Sequence, residues 1–306
     1  MRTNKNEIKL TSEEDAIFNL AWDFDELPRI DVPYLYHYRS GSSMKKIFRR
    51  DGIHLRFTRG DSFPDKMEGK AVEAYYDLAI EELLNKGLIT EEQSNRINDV
   101  KPPNVMFARE KRNGIDYYTE KEFDPYILCF STEKDDPYMF ESTITNKASG
   151  SYYFWMDSII VEQMKQLGRR NGVHIEPGKI LYGRSVIEHI KQKILFVFER
   201  PFLYDVAGDF LQDYLHKLQF FAKLSKFRKE NEVRVIVQVP KMLTMEHRDL
   251  LFDEDKKHIT LIIPKSYVCD VTPKDDNDKT IDKELLSTLA QRGYPCASKN
   301  LEVTHS

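Results

Sequence analysis

Residues 35–65 read LYHYRSGSSMKKIFRRDGIHLRFTRGDSFPD, and the order of signals in this stretch sets the fold. An apolar run carrying His37 ends at Ser40-Gly41-Ser42-Ser43, residue types that cap helices, and Met44, Ile47 and Phe48 then fall at helical spacing. Gly52 suits the position just past a helix, and Ile53, Leu55 and Phe57 alternate with His54 and Arg56 like a second strand. Strand, turn, short helix and strand follow. A histidine on such a first strand, between two tyrosines, is either a ligand-binding residue or a hydrogen-bonded core residue, and the run alone leaves both open.

Working outward, residues 1–33 read as an appended arm: a short capped helix through Ile17, Phe18 and Leu20, then Trp22, Phe24 and Leu27 to dock it. Residues 68–86 carry an apolar stripe of helical period ended by Gly87, and Thr90 opens a capping box with Gln93. Signals weaken over 98–124, which reads as an inserted connection with a hairpin at Asn113-Gly114. Residues 126–131 are a continuous apolar run of buried-strand length, and 152–155 are a second, aromatic run. A helix is expected from Asp157 towards Gly168, a short strand at 180–182, and helices over 186–194 and 202–221. The clearest strand is 232–239, with valines at 233, 235, 237 and 239 before Pro240. Strands at 258–263 and 267–271 and a helix at 281–292 complete the chain. This irregular mixture lacks a βαβ rhythm and predicts an α+β fold, one elaborated domain over 34–306.

The chain has 306 residues, 31% of them charged, 41% hydrophobic and 12% aromatic, the balance of a globular protein. With 46 basic and 50 acidic residues its formal net charge is −4, so no global field draws it to nucleic acid. The absence of a long apolar run and of a signal-like N-terminus predicts a cytoplasmic protein with no membrane partner. Cys129, Cys269 and Cys296 are too widely spaced to suggest a disulfide framework or a metal site.

No phosphate-binding glycine loop, zinc-protease helix or nucleophile elbow occurs. What remains is a set of polar groups on separate expected strands: His37 on the first, Ser131 ending the second apolar run, and Glu230 and Glu232 opening the valine strand. With these, LYHYRS, LRFTRGDSFPD, CFST and KENEVR resemble a bacterial family of uncharacterised domains that opens L-Y-H-Y-T-S and carries E-x-E-W-R late in the chain. Val233 stands where that family favours tryptophan, and Arg39 where it has threonine. Histidine, a middle-strand residue and a late glutamate also resemble, in order, the triad of ADP-ribosyltransferases, especially DNA-targeting toxins and RNA 2′-phosphotransferases.

That resemblance implies a split, mostly antiparallel sheet flanked by helices and NAD as substrate. It also implies transfer to a macromolecular acceptor, nucleic acid or protein, in a toxin or defence effector with an antitoxin partner. Breaking the nicotinamide bond of NAD builds positive charge on the ribose, which a carboxylate stabilises. Glu232 is expected in that role, with Glu230 activating the acceptor. His37 would hold a ribose hydroxyl, with Ser131, or nearby Tyr138, at the middle-strand position. Tyr36 or Tyr38 would stack on the nicotinamide, although strand alternation sets both opposite His37, and Arg56 and Arg59 would meet the pyrophosphate. Arg234 is expected to be a structural partner on the face of Glu232. A binding module that keeps the fold without catalysis, and a hydrolase of nucleotide derivatives using the paired glutamates, are the alternatives.

Overall fold

A computed structural model describes residues 29–60, 71–100, 106–112, 115–121, 123–143, 150–240, 250–253, 257–274 and 282–296. The strands are β1 (Tyr34–Ser40), β2 (Ile53–Arg59), β3 (Met106–Arg112), β4 (Ile115–Lys121), β5 (Phe123–Ser131), β6 (Ser151–Asp157), β7 (His174–Lys179), β8 (Leu181–Tyr182), β9 (Ala222–Lys223), β10 (Glu232–Pro240), β11 (Leu250–Phe252), β12 (His258–Ile263) and β13 (Val268–Pro273). The helices are α1 (Gly41–Ile47), α2 (Ala71–Asn85), α3 (Glu91–Ile97), α4 (Pro137–Thr143), α5 (Ile160–Arg170), α6 (Arg184–Phe198), α7 (Ala207–Leu218) and α8 (Lys283–Gln291). The fold is therefore α+β. All pairings in its nine-stranded sheet are antiparallel.

The sheet divides at β5. Ser131 pairs with Glu232 of β10 and, on its other edge, with Tyr36 of β1; four residues earlier Ile127 pairs with Ile236 of β10 and with Thr58 of β2. β1 and β2 thus share one edge of β5 and part between these two points. From there one branch runs β1-β6-β13 and the other β2-β12-β11. Cys129 lies in the gap, with β10 on one side and neither branch strand paired to it on the other.

One face of the sheet carries the main core. Leu35, Phe57, Leu128, Phe130, Phe154 and the four β10 valines pack there against α1, α5 and α8. A second core joins α2, α3, α6 and α7, and two small clusters, around Ile127 and Ile236 and around Tyr36, Tyr38 and Tyr153, hold residues of the opposite face of the sheet. β10 is paired on both edges, by β5 and β7, and packed on both faces, its valines in the main core and Ile236 against Ile127, Ile180 and Phe221, so Glu232, Arg234 and Gln238 are interior residues despite their polarity.

Several expected elements differ at their ends. α5 runs through Gly168, where a Cβ would stand 2.6 Å from the Ile175 side chain, and the turn comes at Gly172 instead. A 3-10 turn, Pro201–Val206, precedes α7, so the apolar stretch 202–221 is not one helix. β7 (HIEPGK) carries no strand pattern, because its Pro177 and Gly178 read as a turn. Proline is tolerated there because β7 lies at an edge of the sheet. β3 and β4 pair only with each other among the described residues, from Met106↔Lys121 to Arg112↔Ile115; the Asn113-Gly114 turn lies outside those residues. The short helix expected through Ile17, Phe18 and Leu20 also falls outside them. Of the arm, Ile30 and Val32 pack on the main core and Asp31 pairs with Lys179.

Candidate active site

The polar node of the molecule sits where β10 begins beside the end of β5. A short 3-10 helix, Ser225–Glu230, leads into β10 through Asn231, whose φ of 40° is a left-handed conformation that asparagine tolerates. This turn ends the helix on Glu230 and starts the strand on Glu232. Although Glu230 is not on an extended strand, both carboxylates reach one ammonium: Lys223 Nζ is 2.7 Å from Glu230 Oε2 and 2.6 Å from Glu232 Oε2. Arg234 completes the node, donating from Nε to Glu232 Oε1 at 2.7 Å and from Nη1 to the Phe220 carbonyl at 2.8 Å.

Burial pushes the Glu232 carboxyl up, but the charges of Arg234 and Lys223 outweigh it and hold the group well below the usual carboxylate range. Glu230 moves the other way. Burial raises it, and the negative charge of Glu232 adds to the rise while Lys223 opposes both. The node therefore holds one firmly ionised carboxylate and one that keeps a proton more readily, a division suited to charge stabilisation and proton transfer. The Cys129 thiol, raised by burial and then by Glu232, stays protonated beside them. The Tyr182 hydroxyl accepts the Glu232 backbone N–H at 3.0 Å.

The register decides which expected residues meet. Tyr36, Ser131 and Glu232 stand in one cross-strand row and share a face. His37 belongs to the next row, opposite Phe154 of β6, and its ring lies 5.3 Å from Phe130 and 5.2 Å from Phe154 on the main-core side. The tyrosines, expected to point away from the site, share the face of Glu232, and His37 does not. Arg39 Nε donates to His37 Nε2 at 2.8 Å. Because arginine can only donate, Nε2 carries no proton, so Nδ1–H donates to the Cys129 carbonyl at 2.8 Å. Both ring nitrogens are committed, which leaves no N–H for a ribose hydroxyl. Burial, then the neighbouring Arg39 charge, drives the His37 pKa well down, and the ring is neutral.

Other expected contacts have local partners. Ser131 Oγ donates to the Glu230 carbonyl at 3.0 Å and accepts the Glu133 N–H at 3.1 Å, tying the glutamate turn to the end of β5. Tyr38 OH donates to the Glu133 carbonyl at 2.6 Å and accepts the Asp136 N–H at 3.0 Å, so it anchors the loop after β5. Tyr138 packs with Tyr36, Tyr38, Met139, Phe140 and Tyr153 beside that loop. The Arg56 guanidinium is engaged on the outer branch, 2.6 Å from Asp253 Oδ2 and 2.8 Å from His258 Nδ1. Arg59 ends β2 opposite Tyr126. Lys223, Tyr182 and Cys129 were not expected at the site; the β8–β9 pairing sets Lys223 beside Tyr182, next to the glutamates.

Comparison with protein-family models, with curated proteins and with solved structures finds no match for this chain.

Proposed function

We propose that this protein is an NAD-dependent ADP-ribosyltransferase acting on a macromolecule, with Glu232 as the carboxylate that stabilises the ribosyl cation and Glu230 as the acceptor's base. The observation that carries the reading is the pair of carboxylates on one lysine, beside the point where β1 and β2 part. In the reaction the C1–nicotinamide bond breaks and nicotinamide leaves as a neutral base. The acceptor forms a bond to C1, and its proton passes to Glu230. Ionised Glu232 favours the cationic transition state, while Lys223 and Arg234 fix its position. His37 holds no donor hydroxyl in this reading; its hydrogen bond to the Cys129 carbonyl braces β5 where the two branches part.

A second reading, a nucleotide-binding module without catalysis, is favoured by one specific fact: each Glu232 oxygen already meets a cation. Incubation of the protein and its Glu232→Gln variant with labelled NAD and cell extract separates the readings. Label on a macromolecule with wild type alone supports transfer. Nicotinamide release without label points to hydrolysis, and neither signal points to the binding module.

A further inference from the structure

Cross-strand register builds one row of side chains on the face of Glu232: Asp270 of β13, Trp155 of β6, Tyr36 of β1, Ser131 of β5 and Glu232 of β10. In the next row of that face Tyr38 stands opposite Tyr153, and α4 roofs the pair, its Phe140 ring 4.9 Å from Tyr38 and 6.0 Å from Tyr153. Tyr34 and Trp155 make no ring contact with α4 among the described residues and stay open. Tyr34 is 36% exposed and Trp155 half-buried, their rings 4.9 Å apart, and Tyr36 stacks on Trp155 at 6.0 Å. The indole N–H has no hydrogen-bond partner, so packing, not a polar anchor, orients the ring.

Two observations say what this surface takes. Lys134, an exposed side chain that makes no ion pair among the described residues, already places its ammonium 5.0 Å from the centre of the Trp155 ring. Carboxylates surround the rings: Asp157 opposite Tyr34, Asp270 opposite Trp155, and Glu133, Asp135 and Asp136 on the loop that carries Lys134. Burial raises the Tyr153 hydroxyl pKa, its hydrogen bond with Thr272 opposes this, and Asp135 and Asp270 raise it further, so charges from the loop and from β13 converge on one ring. Against these carboxylates stand Lys134 and, over Phe140 at the roofed end, Lys274. Aromatic rings rimmed by carboxylates attract cations and repel phosphates.

We propose that the Tyr34 and Trp155 surface docks a basic segment of a partner protein, an arginine or lysine of that segment replacing Lys134 over the indole. The surface shares the face of Glu232 and stands three strand spacings, about 14 Å, along the row from it. That the docked protein is the acceptor rests on the transferase reading; the docking surface does not.

The test is fluorescence anisotropy of a labelled arginine-glycine peptide, its glutamate-glycine counterpart and a labelled oligo(dT), each titrated with wild type, Lys134→Ala and Trp155→Leu. The melting temperature of each protein and the sedimentation of wild type and Trp155→Leu are measured alongside. Wild type is expected to bind the arginine peptide and neither other probe. Lys134→Ala, a change at an exposed position, binds it about threefold or more tighter because the internal competitor is gone, and Trp155→Leu at an unchanged melting temperature binds it about tenfold weaker. If Trp155→Leu melts lower, Lys134→Ala alone decides. Arginine-peptide binding without any turnover of NAD upholds the surface and removes the acceptor from the proposal. No arginine-peptide binding by wild type, equal binding of the two peptides, unchanged or weaker binding by Lys134→Ala, or unchanged binding by folded Trp155→Leu would overturn the surface. So would oligo(dT) binding that Lys134→Ala weakens, or self-association that Trp155→Leu abolishes.

Discussion

His37 Nδ1 donates across 2.8 Å to the carbonyl of Cys129, the middle one of the three β5 residues, Leu128, Cys129 and Phe130, that neither β1 nor β2 pairs. The ring replaces a missing ladder bond. Its removal in His37→Ala leaves a buried carbonyl without a donor and is expected to cost about 1–3 kcal/mol in urea unfolding. His37→Asn, whose amide nitrogen lies near the place of Nδ1, should recover much of that.

The same histidine makes a pH prediction. Its pKa is lowered in the folded state, so below the ordinary value of 6.5 the unfolded chain takes up a proton that the folded chain refuses. Stability should therefore fall as pH drops below that value, by at most about 1.4 kcal/mol per pH unit from this group, until the folded pKa is reached. Urea midpoints from pH 7 to pH 5 should show a shallower fall in His37→Asn than in wild type. Parallel curves would mean the ring is protonated in the fold.

Lys223 holds two carboxylates, and its replacement by methionine should raise the pKa of both. Glu232, depressed in the fold, contributes stability above the ordinary glutamate pKa that is lost as pH falls through its folded value. Lys223→Met should cost about 3–5 kcal/mol at pH 7, the loss typical of breaking a buried pair. The deficit should narrow towards pH 4. A deficit that is the same at both pH values would argue against the shared ion pair.

Asp213 on α7 is 2% exposed, its Oδ1 has no hydrogen-bond partner, and burial raises its pKa to about 6. A folded pKa above the unfolded one means that stability declines as pH rises from about 4 to about 6 and stays reduced above it. Asp213→Asn should stabilise the protein at pH 7 by about 1–3 kcal/mol and flatten that decline. A destabilised variant would show that the charge is compensated in the fold.

The alternating valines of β10, the continuous run of β5 and the capping box at Thr90 were legible because each is a local pattern with a local cause. The division of the sheet was not readable from composition, since it depends on where β1 and β2 meet β5, a matter of register between segments far apart in sequence. The same limit governs the site. Glu232 and Arg234 were recognisable from their two-residue spacing, and they do pair. Assigning His37 to their face required knowing that Tyr36, not His37, lies opposite Ser131, a one-residue matter that inverts every side chain. Lys223 and Tyr182 were hidden because two-residue strands carry no period.

The most direct measurement is nicotinamide release from NAD by the purified protein and by folded Glu232→Gln, each with cell extract as the source of acceptor. The account predicts release coupled to labelling of a macromolecule by wild type, and a loss of about a hundredfold or more in Glu232→Gln, the size expected when one charge-stabilising group is removed from a transition state. Equal release by both proteins, or no release by wild type, would contradict it.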